Sequence, residues 1–383
     1  MNKNSIKSIC LISGSSPEFL GGVSLYQRNL IEYSKQNKLD LKFTWLYAGK
    51  ENKKYSLNEI KCIEFKVPNL PLLKEFFMSK KVKLFLEKNN FDIINSHANW
   101  GSFLRSYNKK EGQKMIHTYH GVTCPYMKIQ FAKFGFFKYF FYPLLPLFYL
   151  IEKPPMKKAD KIICVSEKVK KGLEELYQYN KNLDVIRTGV NFPNFKKLSK
   201  EKSRKNLSLE KEKIYGLYSG RGGYWNKGLD RAINIGKEIY NKNKKFRLIV
   251  VGADKKKCKK YLKEKFIIYK GVVDREKISE YYSAADFFFF LSRSEGGAPA
   301  LALSEAIASE CLVICSKDSE PEIIRNEKEG LIIEKFGEEN AKKILKLLLN
   351  KIKLNKIKKY AKNKIKNLSL KKWGGKYFLE ILK

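Results

Sequence analysis

Two segments in the second half of the sequence set cations, glycines and carboxylates at the ends of strand-like runs. The first is Ser219-Gly220-Arg221-Gly222-Gly223-Tyr224-Trp225-Asn226-Lys227-Gly228-Leu229-Asp230, which follows the apolar run Ile214–Ser219. A helix is expected to begin near Lys227 and to continue through Ala232, Ile233 and Ile235. Glycines let a backbone approach a ligand closely, and a helix N-terminus offers free N–H groups and the positive end of a dipole. With Arg221 and Lys227 at its mouth, the segment has the parts of a diphosphate site; it is otherwise a Gly-rich turn with two exposed cations. The second segment runs from Ser292 through Arg293, Ser294, Glu295, Gly296, Gly297 and Ala298 into the apolar helix that holds Glu305. A carboxylate among Leu301, Leu303, Ala306 and Ile307 needs a partner, because burying it unpaired is costly. A ribose diol is one such partner; the alternative is that Glu305 faces solvent.

The first half carries the three histidines, His97, His117 and His120, all near strand ends. His120 precedes Gly121 at the end of Met115–Tyr119 and is a candidate functional residue; His97, after Asp92–Ser96, is a weaker one. His117 alternates inward and is expected to be structural. Gly21 and Gly22 open the first long helix, where paired glycines allow close approach of a ligand to its N-terminus.

These segments hang on a repeating frame of short apolar strands and amphipathic helices. Strands are expected at Ile6–Ser13, Leu41–Tyr47, Cys62–Val67, Asp92–Ser96, Met115–Tyr119, Ile162–Val165 and Asp184–Arg187, and again at Ile214–Ser219, Phe246–Val251, Phe266–Tyr269, Phe287–Leu291, Cys311–Cys315 and Leu331–Ile333. Near-continuous apolar strands separated by helices indicate parallel sheets covered on both faces. The pattern restarts once, across the polar stretch 191–213, which predicts two doubly wound α/β domains joined by a linker. Ligands in such folds bind at the carboxyl ends of the strands, where both Gly-rich segments fall.

The 78 Lys and Arg against 39 Asp and Glu give a formal charge of +39, and such a balance favours polyanions: nucleic acid, anionic membrane or phosphorylated substrates. Genome composition is the alternative source of the excess. Seven scattered Cys with no Cys-x-x-Cys are expected as buried free thiols in a reducing cytosol. The apolar run near the N-terminus is too short for a secretory h-region and is expected to be a strand. Residues 131–151 read FAKFGFFKYFFYPLLPLFYLI; the uncharged run Tyr139–Ile151 holds 13 residues and two prolines, short of the roughly 20 that a membrane span needs. This segment is either a helix packed across its domain or an aromatic element that dips into a membrane interface. From Gly337 onward, Ile344, Leu347, Leu348 and Ile352 recur at helical spacing among 15 Lys, which predicts helices with one buried and one cationic face.

Taken together, GGV after the first strand, HTYHG, ADKIICVSE (Ala159–Glu167), VIRTGVN (Val185–Asn191), SGRGGYWNKG, VVG, YYSAADFFFFLS (Tyr281–Ser292), EGG…SEAIAS and SLKKW (Ser369–Trp373) follow a known order. Over nearly its whole length the sequence resembles the GT-B glycosyltransferases of the large retaining family four. The resemblance implies two Rossmann-like domains facing across a cleft: an acceptor-binding domain at 1–190, the linker at 191–213, a nucleotide-sugar-binding domain at 214–366, and a helix at 367–383 that crosses back to the first domain. It implies that Arg221 and Lys227 bind the donor diphosphate and Glu305 the ribose. It puts Glu295 and the backbone of Gly296, Gly297 and Ala298 on the transferred sugar, His120 beside the reacting centre, and Gly21 and Gly22 near donor phosphate and acceptor. One departure stands out: nine residues, 296–304, separate Glu295 from Glu305, where the family has seven, and Gly297 falls at the usual spacing. Another is Thr188, where the family usually carries Asn.

The reaction implied is transfer of a hexose from a UDP- or GDP-sugar, with retention, to a glycan or lipid-linked acceptor in polysaccharide, glycolipid or protein-glycan synthesis. Cations and a helix N-terminus can stabilise the leaving diphosphate. There is no Asp-x-Asp triplet, and neither a metal nor another cofactor is expected. The expected location is cytoplasmic, with peripheral attachment to the anionic inner membrane face. Two rivals remain. One is a basic nucleic-acid-binding protein, which would need a binding module that is not evident, so no nucleic-acid partner is expected. The other is a GT-B epimerase or silent scaffold, which turnover dependent on acceptor would exclude.

Overall fold

Runs of Ile, Val, Leu and Phe flanked by amphipathic helices bury both faces of a sheet, and the computed structural model contains two such sheets. It describes residues 7–195, 198–220, 225–259, 261–295, 300–319 and 321–382. The chain divides into a first unit of residues 1–189 and 370–383 and a second unit of residues 190–369.

The first unit holds β1 (Lys7–Ser13), β2 (Leu41–Gly49), β3 (Lys53–Leu57), β4 (Ile60–Lys66), β5 (Ile93–His97), β6 (Lys114–Tyr119), β7 (Lys161–Cys164) and β8 (Leu183–Val185). Their order is β3-β4-β2-β1-β5-β6-β7-β8. All pairs are parallel except β3 with β4. The sequence pattern missed β3. Its residues Lys-Lys-Tyr-Ser-Leu lie on an edge and have little apolar alternation, and its hairpin turns through Asn58 and Glu59 with positive φ and without glycine. The final helix, Leu370–Leu382, packs on helix Gly22–Gln36 within this unit. Gly374 permits the approach: a Cβ there would lie 2.3 Å from the Tyr33 ring.

The second unit holds β9 (Ile214–Ser219), β10 (Phe246–Val251), β11 (Ile267–Gly271), β12 (Phe287–Phe290), β13 (Leu312–Ser316) and β14 (Leu331–Ile333), all parallel, in the order β11-β10-β9-β12-β13-β14. In each sheet the winding reverses beside the first strand, between β1 and β5 and between β9 and β12. Strand ends at such a reversal splay the following loops apart and leave a crevice.

Two expectations need correction. The stretch 191–213 is not a free linker: it contains the helix Lys200–Asn206, which packs within the second unit. Its anchor is Arg204, buried, with Nε donating to the Ala284 carbonyl at 3.0 Å and Nη2 to Asp286 Oδ2 at 2.9 Å. A guanidinium anchor leaves no apolar period to detect. The lysine-rich C-terminal helices bury Ala341, Ile344 and Leu347, then Ile357, Ala361 and Ile365. Ile352 is exposed because the helix stops at Asn350 and the phase restarts.

Candidate active site

At the reversal point of the second sheet, β9 ends at Ser219 and the helix Leu229–Lys242 begins after a turn at Trp225–Gly228, slightly later than the sequence suggests. Gly228 caps that helix at φ 72°, and a Cβ there would lie 2.0 Å from the Leu291 carbonyl oxygen. The turn is therefore pressed against the end of β12, and only glycine fits. Arg293, a residue the sequence reading left without a role, ties the two loops together. Its backbone N–H donates to the Asn226 carbonyl at 2.9 Å, its guanidinium forks onto Asp230, and it lies 3.5 Å over the Trp225 ring. Such planar, bidentate pairing gives direction as well as attraction.

This framework holds Lys227 and Glu295 together. The Lys227 ammonium is 2.5 Å from Glu295 Oε1, and Ser292 Oγ donates to the same oxygen at 2.6 Å. The resemblance assigns Lys227 to the diphosphate and Glu295 to the sugar; the structure joins the two in one ion pair. Arg221, Gly296, Gly297 and Ala298 lie outside the described residues.

Glu305 sits on the helix Leu301–Ala308 and is 2% exposed, so the alternative of a solvent-facing carboxylate is excluded. The partner it requires lies within the chain. Arg275, after β11, donates Nη1 to Oε2 at 2.9 Å and Nη2 to Oε1, and its guanidinium also covers the Phe195 ring at 4.8 Å. Sequence reasoning named only ribose hydroxyls and missed Arg275, because Asp274-Arg275-Glu276-Lys277 looks like an ordinary charged loop. A carboxylate offers about four lone-pair directions, so a bidentate arginine does not exhaust it. Beside the pair, the buried Tyr282 hydroxyl has its pKa raised, first by burial and then by the Glu305 carboxylate.

In the first unit the reversal point gathers Gly21, Gly22, His97 and His120. Gly21 caps the helix Gly22–Gln36 in extended conformation and without a side-chain bond, and a Cβ on Gly22 would meet nothing within 4 Å. His97 ends β5, and His120 directly follows β6. His97 Nδ1 and His120 Nε2 are 3.1 Å apart, and the Tyr26 ring meets both edge-on at 5.8 and 4.8 Å. Tyr26 is in turn covered by Trp373 and Tyr377 of the final helix, at 4.8 and 6.1 Å. His117 is fully buried and bonded to Ser96 Oγ at 2.7 Å. Burial depresses all three imidazoles, His117 and His120 to about 3 and His97 well below its usual range; the neighbouring histidines depress His97 further, and His120 does the same to His117. Each is therefore neutral at physiological pH. Among the described residues no group of three or more His, Cys, Asp or Glu is placed to hold a metal ion, and no helix is long and apolar enough to cross a membrane.

Two doubly wound sheets, each with glycines and polar side chains at its reversal point, are the architecture of the GT-B glycosyltransferases. The family described as Glycosyltransferase Family 4 matches residues 20–192, and Glycosyl transferases group 1 matches residues 199–364. The chain belongs to the group 1 glycosyltransferases of GT-B fold. It is 28% identical over 301 residues to an uncharacterized glycosyltransferase of Methanocaldococcus jannaschii, MJ1069, covering 74% of this chain and 73% of that protein. Among solved structures it is similar to sucrose-phosphate synthase from Thermosynechococcus elongatus, with TM-score 0.79, 18% identity, and coverage of 98% and 99% of the two chains. It is also similar to Anabaena HepE in complex with UDP-glucose, with TM-score 0.70, 13% identity, and coverage of 98% and 99%.

Proposed function

We propose that this glycosyltransferase transfers a hexose, with retention, from a UDP- or GDP-sugar to a hydroxyl of a glycan or lipid-linked acceptor at an anionic membrane surface. The observation that carries the donor half is the cluster Lys227–Glu295–Ser292 at the reversal point of the second sheet, with Glu305 buried on the next helix. HepE, which shares the fold, binds UDP-glucose. On this reading Lys227 leaves Glu295 for the donor diphosphate. Glu295 is then released toward the sugar, although its longer spacing from Glu305 departs from the family. Lys227, Arg221 and the N-terminus of helix Leu229–Lys242 neutralise charge on the departing diphosphate without a metal. The acceptor hydroxyl attacks the anomeric carbon on the face from which the diphosphate leaves. Its proton passes to the leaving phosphate oxygen, so the glycosidic C–O bond forms as the C–O bond to phosphate breaks.

A donor screen across UDP- and GDP-sugars, read as nucleotide release with and without acceptor, tests this. Lys227→Ala and Arg221→Ala are each expected to lower turnover about 10²–10³-fold. Full turnover in both would show that the diphosphate site is misplaced, and an inverted anomeric signal in the product would rule out retention.

The acceptor half rests on residues 123–152. Helix Thr123–Ala132 packs against helix Leu145–Glu152, and short helical turns join them. Phe141 stacks on Phe131 at 5.3 Å and lies 5.0 Å from Phe134, which supports the tip. Phe136, Phe137 and Phe140 stand 83%, 75% and 83% exposed. Lys133 and Lys138 lie over the neighbouring rings of Phe134 and Tyr139. No Asp or Glu occurs between Glu111 and Glu152. Exposed aromatics ringed by cations, with no acid among them, suit the interface of an anionic bilayer. Changing Phe136, Phe137 and Phe140 together to Ser is expected to weaken co-sedimentation with phosphatidylglycerol vesicles by about tenfold or more, with turnover of a water-soluble acceptor unchanged. Undiminished vesicle binding would remove the membrane from the proposal.

A further inference from the structure

His97 and His120 share one hydrogen bond, and a neutral pair has one proton to place in it. If His120 Nε2–H donates to His97 Nδ1, the remaining proton of His97 must sit on Nε2. That atom is buried and has no partner among the described residues. An orphaned buried N–H is rare in folded proteins, more so than an under-used acceptor. If instead His97 Nδ1–H donates to His120 Nε2, the buried atom is only a bare lone pair. His120, which is half-buried, then carries its own proton on Nδ1.

We propose that His97 is a positioning residue that holds His120 in the Nδ1–H tautomer, so that His120 presents a neutral donor to a hydroxyl or ether oxygen of the bound sugar. The inference rests on the assignment of His120 to the reacting end of the first unit. It deepens that assignment by excluding one role: with Nε2 occupied and Nδ1 protonated, His120 has no free lone pair and does not act as a general base. The surroundings keep the pair rigid. The Tyr26 ring abuts both imidazoles edge-on, and Tyr26 is braced by Trp373 and Tyr377. The titratable groups that face the pair are Tyr26 from helix Gly22–Gln36, His117 from β6 and, behind Tyr26, Tyr377 from the final helix; none of them is charged at neutral pH. A neutral donor is suited to a sugar oxygen, where a cation would compete for the diphosphate.

Long-range ¹H–¹⁵N correlation spectra of the full-length protein test this, since the three histidines can be assigned by single substitutions. The expected wild-type spectrum has His120 protonated on Nδ1. His97→Phe keeps a ring but removes the donor; it should move His120 toward the Nε2–H form and lower kcat about 10–100-fold, with little change in the donor KM. His97→Asn, whose amide N–H falls near the position of Nδ1, should restore both. A wild-type His120 protonated on Nε2 overturns the proposal, as does a His97→Phe protein with an unchanged His120 spectrum. Should His97→Phe fail to fold, the wild-type spectrum decides alone. Full turnover in His120→Ala would overturn the sugar-donor role and the placement of His120 with it, while the spectrum still judges the tautomer.

Discussion

Glu305→Ala is expected to lower turnover at least about a hundredfold and to destabilise the second unit by about 3 kcal/mol, the low end of what breaking a buried ion pair costs. Both effects follow from one carboxylate. It is 2% exposed and both its oxygens bind Arg275, so removing it leaves a guanidinium without its counter-charge. The low end applies because the Arg275 side chain is 33% exposed and can turn toward water. Arg275→Ala is the harsher change for stability, since it strands the buried carboxylate, which cannot reach solvent. Glu305→Gln separates structure from function. It keeps the volume and one acceptor for Arg275, so stability should fall by only about 1–2 kcal/mol. On the proposed reading it also loses the charge that would hold the ribose diol, so affinity for UDP or GDP should fall about tenfold or more. Urea unfolding and titration calorimetry on the same samples read the two quantities independently. If Glu305→Gln binds nucleotide as the wild type does, Glu305 is a structural partner of Arg275 and the ribose is held elsewhere.

Apolar period in the sequence carries most of the fold. Strands such as Ile214–Ser219 and Phe287–Phe290 are buried on both faces, so every residue in them must be apolar or small, and that signal is strong. What the period could not expose are elements held by polar anchors. The helix Lys200–Asn206 is fixed by the Arg204 guanidinium, and β3 lies on an edge where lysines are tolerated. The Ala-Asp pairs before β7 and β12 show the same limit. Asp160 accepts the Met115 N–H at 2.8 Å and Asp286 the Tyr215 N–H at 2.7 Å, so each aligns the start of a neighbouring strand. Site residues divide likewise. Glycines, Lys227, Glu295 and His120 stand out because their types are unusual beside strand ends, and Glu305 because a carboxylate is unusual within an apolar helix. Arg275 and Arg293 do not, because a cation in a chain with 78 of them carries no information until its partner is known. His97 lies between these cases: its type and position were visible, but only the adjacency of β5 and β6 brings it against His120.

The first unit is expected to lose stability as pH falls from about 6.5 toward 5, above the range in which its depressed carboxylates Glu64 and Asp92 begin to count. His117 is fully buried, with its pKa held at about 3 by desolvation, while in the unfolded chain it titrates near 6.5. A group whose folded pKa is depressed in this way binds its proton only on unfolding. Stability that is complete above 6.5 is therefore lost progressively as pH falls from there toward the folded value. At pH 5 the loss from His117 alone is about 2 kcal/mol. His97, shifted in the same direction, adds to it, and the half-buried His120 adds less. The first unit's depressed carboxylates, Glu64 and Asp92, act in the same direction but only below their unfolded values of 4.5 and 3.8, whereas the buried Glu152, whose pKa burial raises, takes up its proton in the folded state and acts in the opposite direction. The groups whose protonation destabilises the unit therefore separate, with histidines first and depressed carboxylates below them. Urea midpoints followed by tryptophan fluorescence report mainly the first unit, where Trp45, Trp100 and Trp373 lie. His117→Asn should be less stable at pH 7.5 yet show a shallower decline, by about one proton. The +39 charge also destabilises the folded chain as acids are titrated, but that repulsion is screened by salt, whereas the cost of charging a buried imidazole is not. A decline between pH 6.5 and 5 that vanishes in about 0.5 M salt would belong to net charge; one that persists there and weakens in His117→Asn belongs to the buried histidines.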